Sequence, residues 1–286
     1  MSDSYLLIFG LGYCGGAIGA VAAARGWAVG GTTRDTARPV PDNVARVDFG
    51  EALGHATHLL VTAAPDAAGD PVLAGFAAEI GRAKRLRWIG YLSTTGVYGD
   101  QAGGWVTEAS APSPGSDRTR RRVAAEQAWA GLVGNRAVDI FRLAGIYGPG
   151  RSAFDDLRAG TARRVIKPGH AFGRIHRDDI AAAVLAAMGQ GRGAGSRVLN
   201  LADDLPAESA DVVAEAARLL GVPVPEGVAF DDAVKTMSPM ARGFWAENRK
   251  VSSAHTKAML GLEWRYPTYR EGLRAILSEE SAKCVA

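Results

Sequence analysis

A glycine-rich turn near the amino terminus constrains the fold of this chain more than any other feature of the sequence. Gly10, Gly12 and Gly15 fit the spacing G-x-G-x-x-G, directly after the apolar run 5–9 and before an alanine-rich stretch. A strand, a glycine turn and a helix in this order are typical of a dinucleotide-binding fold. The first glycine permits a tight turn, the second lets the backbone approach a pyrophosphate, and the third lets the helix pack closely on the strand. The alternative is a purely structural turn in another kind of α/β protein.

The helix after this turn would present its free N–H groups and the positive end of its dipole to the pyrophosphate. A bound dinucleotide is therefore the first functional prediction from the sequence. The residues that we expect to contact it here are Gly10, Gly12, Tyr13, Cys14 and Gly15.

Composition excludes several classes of protein. With 286 residues, 47% of them hydrophobic and 22% charged, the chain is an ordinary globular protein of one large domain or a main domain with a small second one. The sequence contains no run of roughly 18 apolar residues, so no membrane span is predicted. Residues 1–4 lack the basic region of a signal peptide, so we expect a cytoplasmic protein. A net charge of +3 is too small to indicate a nucleic-acid partner, and the two cysteines lack metal-site spacing. We therefore expect no nucleic acid, no membrane and no metal.

Apolar runs alternate with helical patterns along most of the chain. The predicted strands after the first are residues 27–34, 44–49, 57–65, 86–92, 137–143 and 197–201. The predicted helices between and after them include residues 71–83, 117–133, 180–188 and 207–220. This alternation predicts an α/β fold with a doubly wound, mainly parallel Rossmann sheet and a smaller C-terminal α/β lobe. We assign residues 1–144 and 176–201 to the dinucleotide-binding Rossmann domain, and residues 145–175 and 202–286 to the smaller, substrate-side lobe.

The polar corner after the second predicted strand indicates which dinucleotide is bound. In folds of this kind the corner faces the adenosine ribose, where a carboxylate binds the 2′-hydroxyl and an arginine accepts a 2′-phosphate. Thr33 and Arg34 occupy the corner here, so NADP(H) is preferred. NAD(H) remains an alternative, because a shift of the corner by one residue would place Asp35 beside the ribose. A second alternative is that Arg34 is a surface residue without a role in binding.

Further cofactor contacts are expected after the third and fourth predicted strands. Ligands of doubly wound sheets lie outside the carboxyl ends of the strands. Asp48 is expected beside the adenine, and Thr62, Ala63 and Ala64 are expected to border the cofactor because their small side chains leave room for it.

Three later segments carry a family resemblance. Residues 93–99 read Ser-Thr-Thr-Gly-Val-Tyr-Gly, residues 142–150 read Arg-Leu-Ala-Gly-Ile-Tyr-Gly-Pro-Gly, and residues 176–181 read His-Arg-Asp-Asp-Ile-Ala. Together with the glycine turn, these motifs resemble the extended short-chain dehydrogenases/reductases, which include sugar-nucleotide epimerases and dehydratases. The resemblance implies a Rossmann domain with a smaller substrate-binding region, a nicotinamide cofactor and a homodimer. It also implies that Thr94 occupies the position of the family's catalytic Ser or Thr beside the cofactor. The alternative is that the Thr94 hydroxyl only ends a strand and contacts the cofactor or the backbone.

The family's proton donor is a tyrosine four residues before a lysine, and both are missing here. When residues 125–127 are aligned on the family's helix, Arg118 takes the tyrosine position and Arg122 the lysine position. Arginine stays protonated, so neither side chain can exchange a proton near neutral pH. Arg122 would still bind ribose hydroxyls and Arg118 an anionic group; the alternative is a solvated basic helix start in which Arg122 pairs with Glu126.

His176 is the remaining candidate for an acid or a substrate ligand, because its ordinary pKa lies near neutrality. The plainer interpretation is that it orients the loop before the next helix. Together with the segment 242–251, the two arginines resemble the atypical, YeeZ-like branch of the family. We expect an NADP(H)-dependent oxidoreductase or epimerase-like enzyme acting on a small polar or anionic substrate. The rival is a non-catalytic NADP(H)-binding sensor or regulatory protein.

Overall fold

Parallel strands build the centre of the computed structural model, which describes residues 4–35, 37 and 39–285. The strands are β1 (Tyr5–Phe9), β2 (Ala28–Thr32), β3 (Val44–Arg46), β4 (His58–Val61), β5 (Trp88–Thr94), β6 (Trp105–Val106), β7 (Ala137–Leu143), β8 (Gly145–Tyr147), β9 (Arg164–Ile166), β10 (Arg174–His176), β11 (Gly195–Leu201), β12 (Gly227–Ala229) and β13 (Lys250–Val251). The α-helices are α1 (Tyr13–Ala24), α2 (Phe49–Leu53), α3 (Pro71–Arg82), α4 (Asp117–Ala130), α5 (Ala153–Arg158), α6 (Arg177–Gly189), α7 (Ser209–Leu220), α8 (Phe230–Ala233), α9 (Pro239–Trp245), α10 (Ala254–Leu260) and α11 (Tyr269–Val285). Two short 3-10 helices span Thr95–Tyr98 and Val234–Thr236.

Seven of these strands form one sheet in the order β3, β2, β1, β4, β5, β7, β11, and every neighbouring pair is parallel. The strand order reverses between β1 and β4, since the chain proceeds outward from β1 on one side and from β4 on the other. Ligands of doubly wound sheets bind at such a switch point, outside the carboxyl ends of the strands. Gly10 follows β1 at this point. The predicted α/β fold with a doubly wound, mainly parallel sheet is confirmed.

Strand boundaries agree with the sequence pattern to within a few residues. The predicted strand 137–143 coincides with β7, whose residues are all buried. β2 ends earlier than predicted, at Thr32, because the hydroxyl of Thr33 donates to the carbonyl of Asp35 and the chain turns there. β11 begins earlier than predicted, at Gly195, because it continues its parallel pairing with β7.

Helices cover both faces of the sheet. Leu6 of β1 belongs to one apolar cluster together with Ile18 of α1. Its neighbour Leu7 belongs to the cluster on the other face, which includes Ile80 of α3 and Trp129 of α4. Successive side chains of a strand point to opposite faces, so a strand covered on both sides is apolar throughout. The five apolar residues of β1 therefore identified a central strand.

A third apolar cluster lies outside the central sheet. It includes Tyr147, Phe154, Val212, Leu273 and Ile276, and thus joins α5, α7 and α11 to β8. Separate strand pairs join β8 with β10, β9 with β12 and β6 with β13. The division of the chain into a Rossmann domain and a smaller lobe at the stated boundaries stays a prediction. Within the described ranges, no helix is both long enough and apolar enough to cross a membrane.

Candidate functional site

The glycine turn between β1 and α1 has the geometry that its spacing suggests. Gly10 has φ +105°, and a Cβ atom built on it would lie 2.5 Å from the Thr62 hydroxyl oxygen. A Cβ on Gly15 would lie 2.1 Å from the carbonyl oxygen of Gly10, which no real side chain tolerates. A Cβ on Gly12 would meet nothing within 4 Å. Gly10 and Gly15 are thus required by close packing, whereas Gly12 borders open space in which a ligand fits.

The amino-terminal end of α1 is suited to an anion. Its N-cap residue, Gly12, supplies no side-chain acceptor, and the first turn contains no acidic residue. Thr62, at the end of β4, donates its hydroxyl to the carbonyl of Gly10 at 2.7 Å and so fixes the turn. The free N–H groups and the helix dipole together favour a phosphate or pyrophosphate at this place. These residues therefore fit the diphosphate of a dinucleotide.

Two arginines for which the sequence analysis predicted no role, Arg151 and Arg177, lie beside the same turn. The guanidinium carbons of Arg151 and Arg177 lie 5.6 and 5.3 Å from the centroid of the Tyr13 ring. The Tyr13 hydroxyl donates to the carbonyl of Pro149 at 3.1 Å, which joins the turn to the loop after β8. Burial raises the pKa of the Cys14 thiol to about 11, although both arginines act in the opposite direction. The Cys14 thiol therefore stays protonated at neutral pH, and the two arginines add positive charge beside the turn.

The predicted adenosine contacts lie at the carboxyl ends of β2 and β3. Arg34 is exposed and follows Thr33, whose hydroxyl is directed to the Asp35 carbonyl. The Asp35 carboxylate accepts the N–H of Ala37 and so closes its own turn. Asp48 is exposed and is the N-cap of α2, where it accepts the Glu51 N–H at 3.0 Å.

Ala63 and Ala64 follow β4 immediately, next to β1 in the sheet. Ala63 is half-buried and Ala64 is exposed. That these two residues border the cofactor stays a prediction.

A cavity of about 610 Å³ lies at the carboxyl ends of β5 and β7. Thr94, the last residue of β5, lines it, and its hydroxyl accepts the N–H of Gly96 at 3.1 Å. A hydroxyl that accepts a backbone N–H keeps its own proton for another acceptor. Thr94 is thus placed to donate a hydrogen bond to a group bound in the cavity.

The two arginines of α4 have different surroundings. Arg118 is exposed, lines the cavity, and has its guanidinium carbon 4.9 Å from the centroid of the Phe244 ring. Arg122 does not line the cavity. Its Nη1 donates to the Tyr91 hydroxyl at 2.9 Å and to the Leu92 carbonyl at 2.8 Å, both on β5. Arg122 therefore holds α4 on the sheet, whereas Arg118 lines the cavity.

The exposed Arg122–Glu126 pair that the sequence left open does not form. Glu126 is buried and accepts three hydrogen bonds from Arg142, the shortest at 2.7 Å, together with one from the Ser93 hydroxyl at 2.6 Å. Glu126 is therefore part of a buried ion pair between α4 and β7. The Glu126 carboxylate points from α4 towards the sheet, so its partner is Arg142 on β7 and not a neighbour on the exposed face of the helix.

His176 is the N-cap of α6. Its Nδ1 accepts the N–H of Asp178 at 3.2 Å, and only 1% of its surface is exposed between the rings of Tyr147 and Tyr266. Burial lowers the pKa of His176 to about 4. The imidazole is therefore neutral near pH 7, with Nδ1 as an acceptor, and it orients the first turn of α6.

Sequence reasoning missed most of the charged residues that line the cavity. These are Arg174 on β10 and the pair Glu247 and Arg249 after α9. Arg249 donates to Glu247 at 2.6 Å, so this pair is neutral overall. Arg118 and Arg174 have no carboxylate within ion-pair distance in the described part of the chain, and they make the cavity positive. The segment 242–251 stood out in the sequence, but only long-range packing shows that it forms a cavity wall.

A further cavity lies away from these residues. It has about 790 Å³, lies between α4, β7, β11 and α10, and contains none of the predicted site residues. No group of three or more His, Cys, Asp or Glu side chains that could hold a metal occurs among the described residues. The glycine turn and the Thr94 cavity therefore remain the candidate functional site.

Comparisons with known proteins agree with this fold. No protein-family model matches the chain. Protein YeeZ of Escherichia coli (strain K12) is 28% identical over 282 residues, which cover 91% of this chain and 95% of YeeZ. The solved structure of a functionally unknown conserved protein from Silicibacter pomeroyi is 42% identical, with a TM-score of 0.87, and covers 97% of this chain and 99% of that one.

Solved structures of lower identity share the same fold. A putative NAD-dependent epimerase/dehydratase from Methylobacillus flagellatus is 24% identical, with a TM-score of 0.71 over 98% of this chain and 100% of that one. MoeE5, solved with UDP-glucuronic acid and NAD, is 19% identical, with a TM-score of 0.74 over 98% and 100% of the two chains. The human epimerase family protein SDR39U1, solved with NADPH, is 17% identical, with a TM-score of 0.75 over 95% and 98%.

The similarity to YeeZ extends over nearly the whole chain, and the four sequence motifs occur on a Rossmann-like sheet shared with epimerases and dehydratases. That Arg118 and Arg122 take the positions of the family's tyrosine and lysine stays a prediction from the sequence. The chain is therefore similar to YeeZ over nearly its whole length, and its fold and motifs are consistent with an atypical extended short-chain dehydrogenase/reductase.

Proposed function

We propose that this protein is an NADP(H)-dependent oxidoreductase or epimerase-like enzyme that acts on a small polar or anionic substrate. The observation that carries the proposal is the glycine turn, whose open face at Gly12 and uncapped helix end fit a pyrophosphate. The structures of MoeE5 with NAD and of SDR39U1 with NADPH support a nicotinamide cofactor in this fold. A bound nicotinamide would donate or accept a hydride.

The residues of the chain would then bind and orient the reactants. Gly10, Gly12 and Gly15 shape the turn that receives the pyrophosphate, and exposed Arg34 would pair with a 2′-phosphate. Thr94 would donate a hydrogen bond to the reacting oxygen, and Arg118 would attract an anionic substrate. Neither Arg118 nor Arg122 would supply the proton, because a guanidinium does not titrate near neutral pH.

The preference for NADP(H) is tested by exchanging the charge of Arg34. We expect Arg34→Asp to weaken NADPH binding at least tenfold while NADH binding changes little, because only NADPH carries the 2′-phosphate. Fluorescence titration with both dinucleotides measures the two dissociation constants. Arg218→Asp, which makes the same charge change on the exposed face of α7, is the control. Equal affinities of the unmutated protein for NADPH and NADH would contradict the role of Arg34.

The rival function is a sensor or regulatory protein that binds NADP(H) without reaction. The observation that favours it is the replacement of the family's tyrosine and lysine by Arg118 and Arg122. Oxidation of NADPH, followed by absorbance against a panel of carbonyl compounds and sugar nucleotides, separates the two functions. Turnover with any member of the panel supports the enzyme, whereas tight NADPH binding without turnover across the panel supports the sensor.

A further inference from the structure

Arg174, on β10, has an unusual set of partners. Its Nη1 donates to the carbonyl oxygens of Phe172 at 2.9 Å and Ala207 at 3.0 Å. Its Nε and Nη2 have no hydrogen-bond partner among the described residues. These two nitrogens form the edge of a guanidinium that holds a carboxylate or a phosphate in a two-pronged fashion. The residue is thus anchored on one side and unoccupied on the side that recognises anions.

Arg174 lies where two cavities meet. Arg174 lines the 610 Å³ cavity that contains Thr94, and it also lines a second cavity of about 460 Å³. Tyr147 and Ser209 line both cavities as well. A ligand in the first cavity can therefore contact Thr94 at one end and Arg174 at the other.

Nearby carboxylates do not neutralise Arg174 by direct pairing. Asp203 and Asp211 are close enough to act on its pKa, but neither is within the 4.0 Å of an ion pair in the described part of the structure. Burial raises the pKa of Asp203 to about 8, and neither of its oxygens has a hydrogen-bond partner. Asp203 is therefore mainly protonated at neutral pH and contributes little negative charge.

Removal of a charged group from water is costly unless a counter-ion or hydrogen bonds compensate for it. Burial lowers the pKa of Arg174, which shows that its charge is partly desolvated. A guanidinium nevertheless stays ionised at neutral pH. Its two carbonyl partners supply partial compensation, and a bound anion would complete it.

Ser209, which lines the same two cavities, adds further donors. It is the first residue of α7, and its N-cap residue, Glu208, makes no capping hydrogen bond because its carboxylate accepts the N–H of Gly169 at 2.7 Å instead. The hydroxyl and the first N–H group of the helix thus remain for a ligand. Asp211 in the first turn opposes an anion, so Arg174 must provide most of the attraction.

We propose that Arg174, assisted by Ser209, binds a carboxylate or phosphate group of the substrate at the junction of the two cavities, while the reacting group of that substrate lies at Thr94. The proposal rests on the proposed function, since it assumes that the Thr94 cavity receives the substrate. It narrows the substrate class to compounds that carry an anionic group at one end and a reacting carbonyl or hydroxyl group at the other.

The test measures anion binding without any need for turnover. Malonate and inorganic phosphate are titrated by calorimetry into the protein, unmutated or as Arg174→Gln, with NADPH at saturating concentration so that the glycine turn is occupied. We expect Arg174→Gln to weaken binding of the preferred anion at least tenfold, because a charge-assisted two-pronged contact is lost. The anion that the unmutated protein prefers, and that loses most affinity in the variant, assigns the group as carboxylate or phosphate.

Two variants act as controls. Arg163→Gln removes an exposed positive charge nearby that lines neither cavity, and it should leave anion affinity unchanged. Arg174→Lys retains the positive charge but not the planar pair of N–H donors, so its affinity for the anion should be several-fold lower than that of the unmutated protein. If Arg174→Gln does not fold, Arg174→Lys takes its place in the titrations. Circular dichroism verifies the fold of each protein.

Failure of this proposal is distinct from failure of the proposed function. If NADPH does not bind the unmutated protein, the proposed function fails. The anion titrations are then repeated without NADPH on the unmutated protein and on Arg174→Gln. Anions that bind at other places, such as the glycine turn, bind both proteins equally, so any difference in affinity between them reports on Arg174. If NADPH binds and folded Arg174→Gln or Arg174→Lys binds both anions as tightly as the unmutated protein, the site at Arg174 is refuted.

Discussion

At the scale of single residues, burial without a partner changes the chemistry of a side chain. Asp203 is only 2% exposed, and both of its carboxylate oxygens lack hydrogen-bond partners. Burial raises the pKa of Asp203 to about 8, although the positive charge of Arg174 acts to lower it. An unfolded aspartate has a pKa of about 3.9. The folded protein therefore retains a proton on Asp203 between these two values, which the unfolded chain releases.

This difference predicts a pH-dependent stability that an asparagine would remove. Because the folded state binds the extra proton, the contribution of Asp203 to the free energy of unfolding falls as the pH rises from about 4 to 8. Asp203→Asn is never charged, so it should be similar to the unmutated protein near pH 4 and more stable by on the order of a few kcal/mol at pH 8. Urea unfolding at both pH values measures this. Asp42→Asn at an exposed position is the control, and an unchanged pH dependence in Asp203→Asn would contradict the protonation of this carboxyl group.

At the scale of elements, the turn between β1 and α1 separates two roles of glycine. A side chain at Gly15 would collide with the backbone of Gly10, whereas a side chain at Gly12 would enter empty space. The first glycine is thus required for folding and the second for room beside the proposed pyrophosphate. Substitution at the two positions should therefore affect stability and binding differently.

Alanine substitutions in the turn should separate stability from cofactor binding. Gly15→Ala should lower the free energy of unfolding by about 1–3 kcal/mol, because overpacking displaces the turn, and should weaken NADPH binding as well. Gly12→Ala should keep the stability of the unmutated protein but weaken NADPH binding at least tenfold. Gly16→Ala, whose new Cβ would make only an ordinary contact of 3.7 Å with Pro41, is the control. Thermal unfolding and NADPH titration give both quantities, and tight binding by Gly12→Ala would argue against a pyrophosphate at the turn.

At the scale of the whole molecule, buried carboxylates join distant parts of the chain. Asp178 and Asp179 both lie in the first turn of α6, where the helix dipole favours negative charge. Asp179, which is only 1% exposed, also accepts the N–H groups of Arg265 at 2.8 Å and Tyr266 at 3.1 Å. It therefore fastens the segment before α11, and with it one wall of the third apolar cluster, to the helix that covers the sheet.

Loss of this connection should destabilise the C-terminal part of the chain. Asp179→Asn replaces one acceptor oxygen by an N–H₂ group, which cannot accept the second N–H and leaves it unpaired. We expect the free energy of unfolding to fall by about 2–3 kcal/mol, with faster hydrogen exchange in α11. Asp178→Asn, a change at the neighbouring and more exposed carboxylate, should cost less. Equal stability of the two variants in urea would contradict this role of Asp179.

Local chemistry in the sequence was sufficient for the central sheet and for the turn at its centre. The apolar run before Gly10 predicted β1, and the run 137–143 predicted β7 residue by residue. Such signals are readable because steric freedom at glycine and burial of both faces of a strand depend on residues that are near one another in sequence. The resemblance to the extended short-chain dehydrogenases/reductases rested on the same kind of short, contiguous motif.

The tertiary structure alone decided which side chains face a ligand. Arg118 and Arg122 lie one helical turn apart, yet the first lines the cavity and the second donates hydrogen bonds to β5. Glu126 pairs with Arg142 on the sheet, and Arg174 lines the cavity from β10, on which the sequence motifs marked only His176. Sequence spacing determines the face of an element that a residue occupies, but the partner on that face comes from a distant segment. The sequence therefore determined the fold and the dinucleotide turn, whereas long-range packing determined the charge of the cavity beside it.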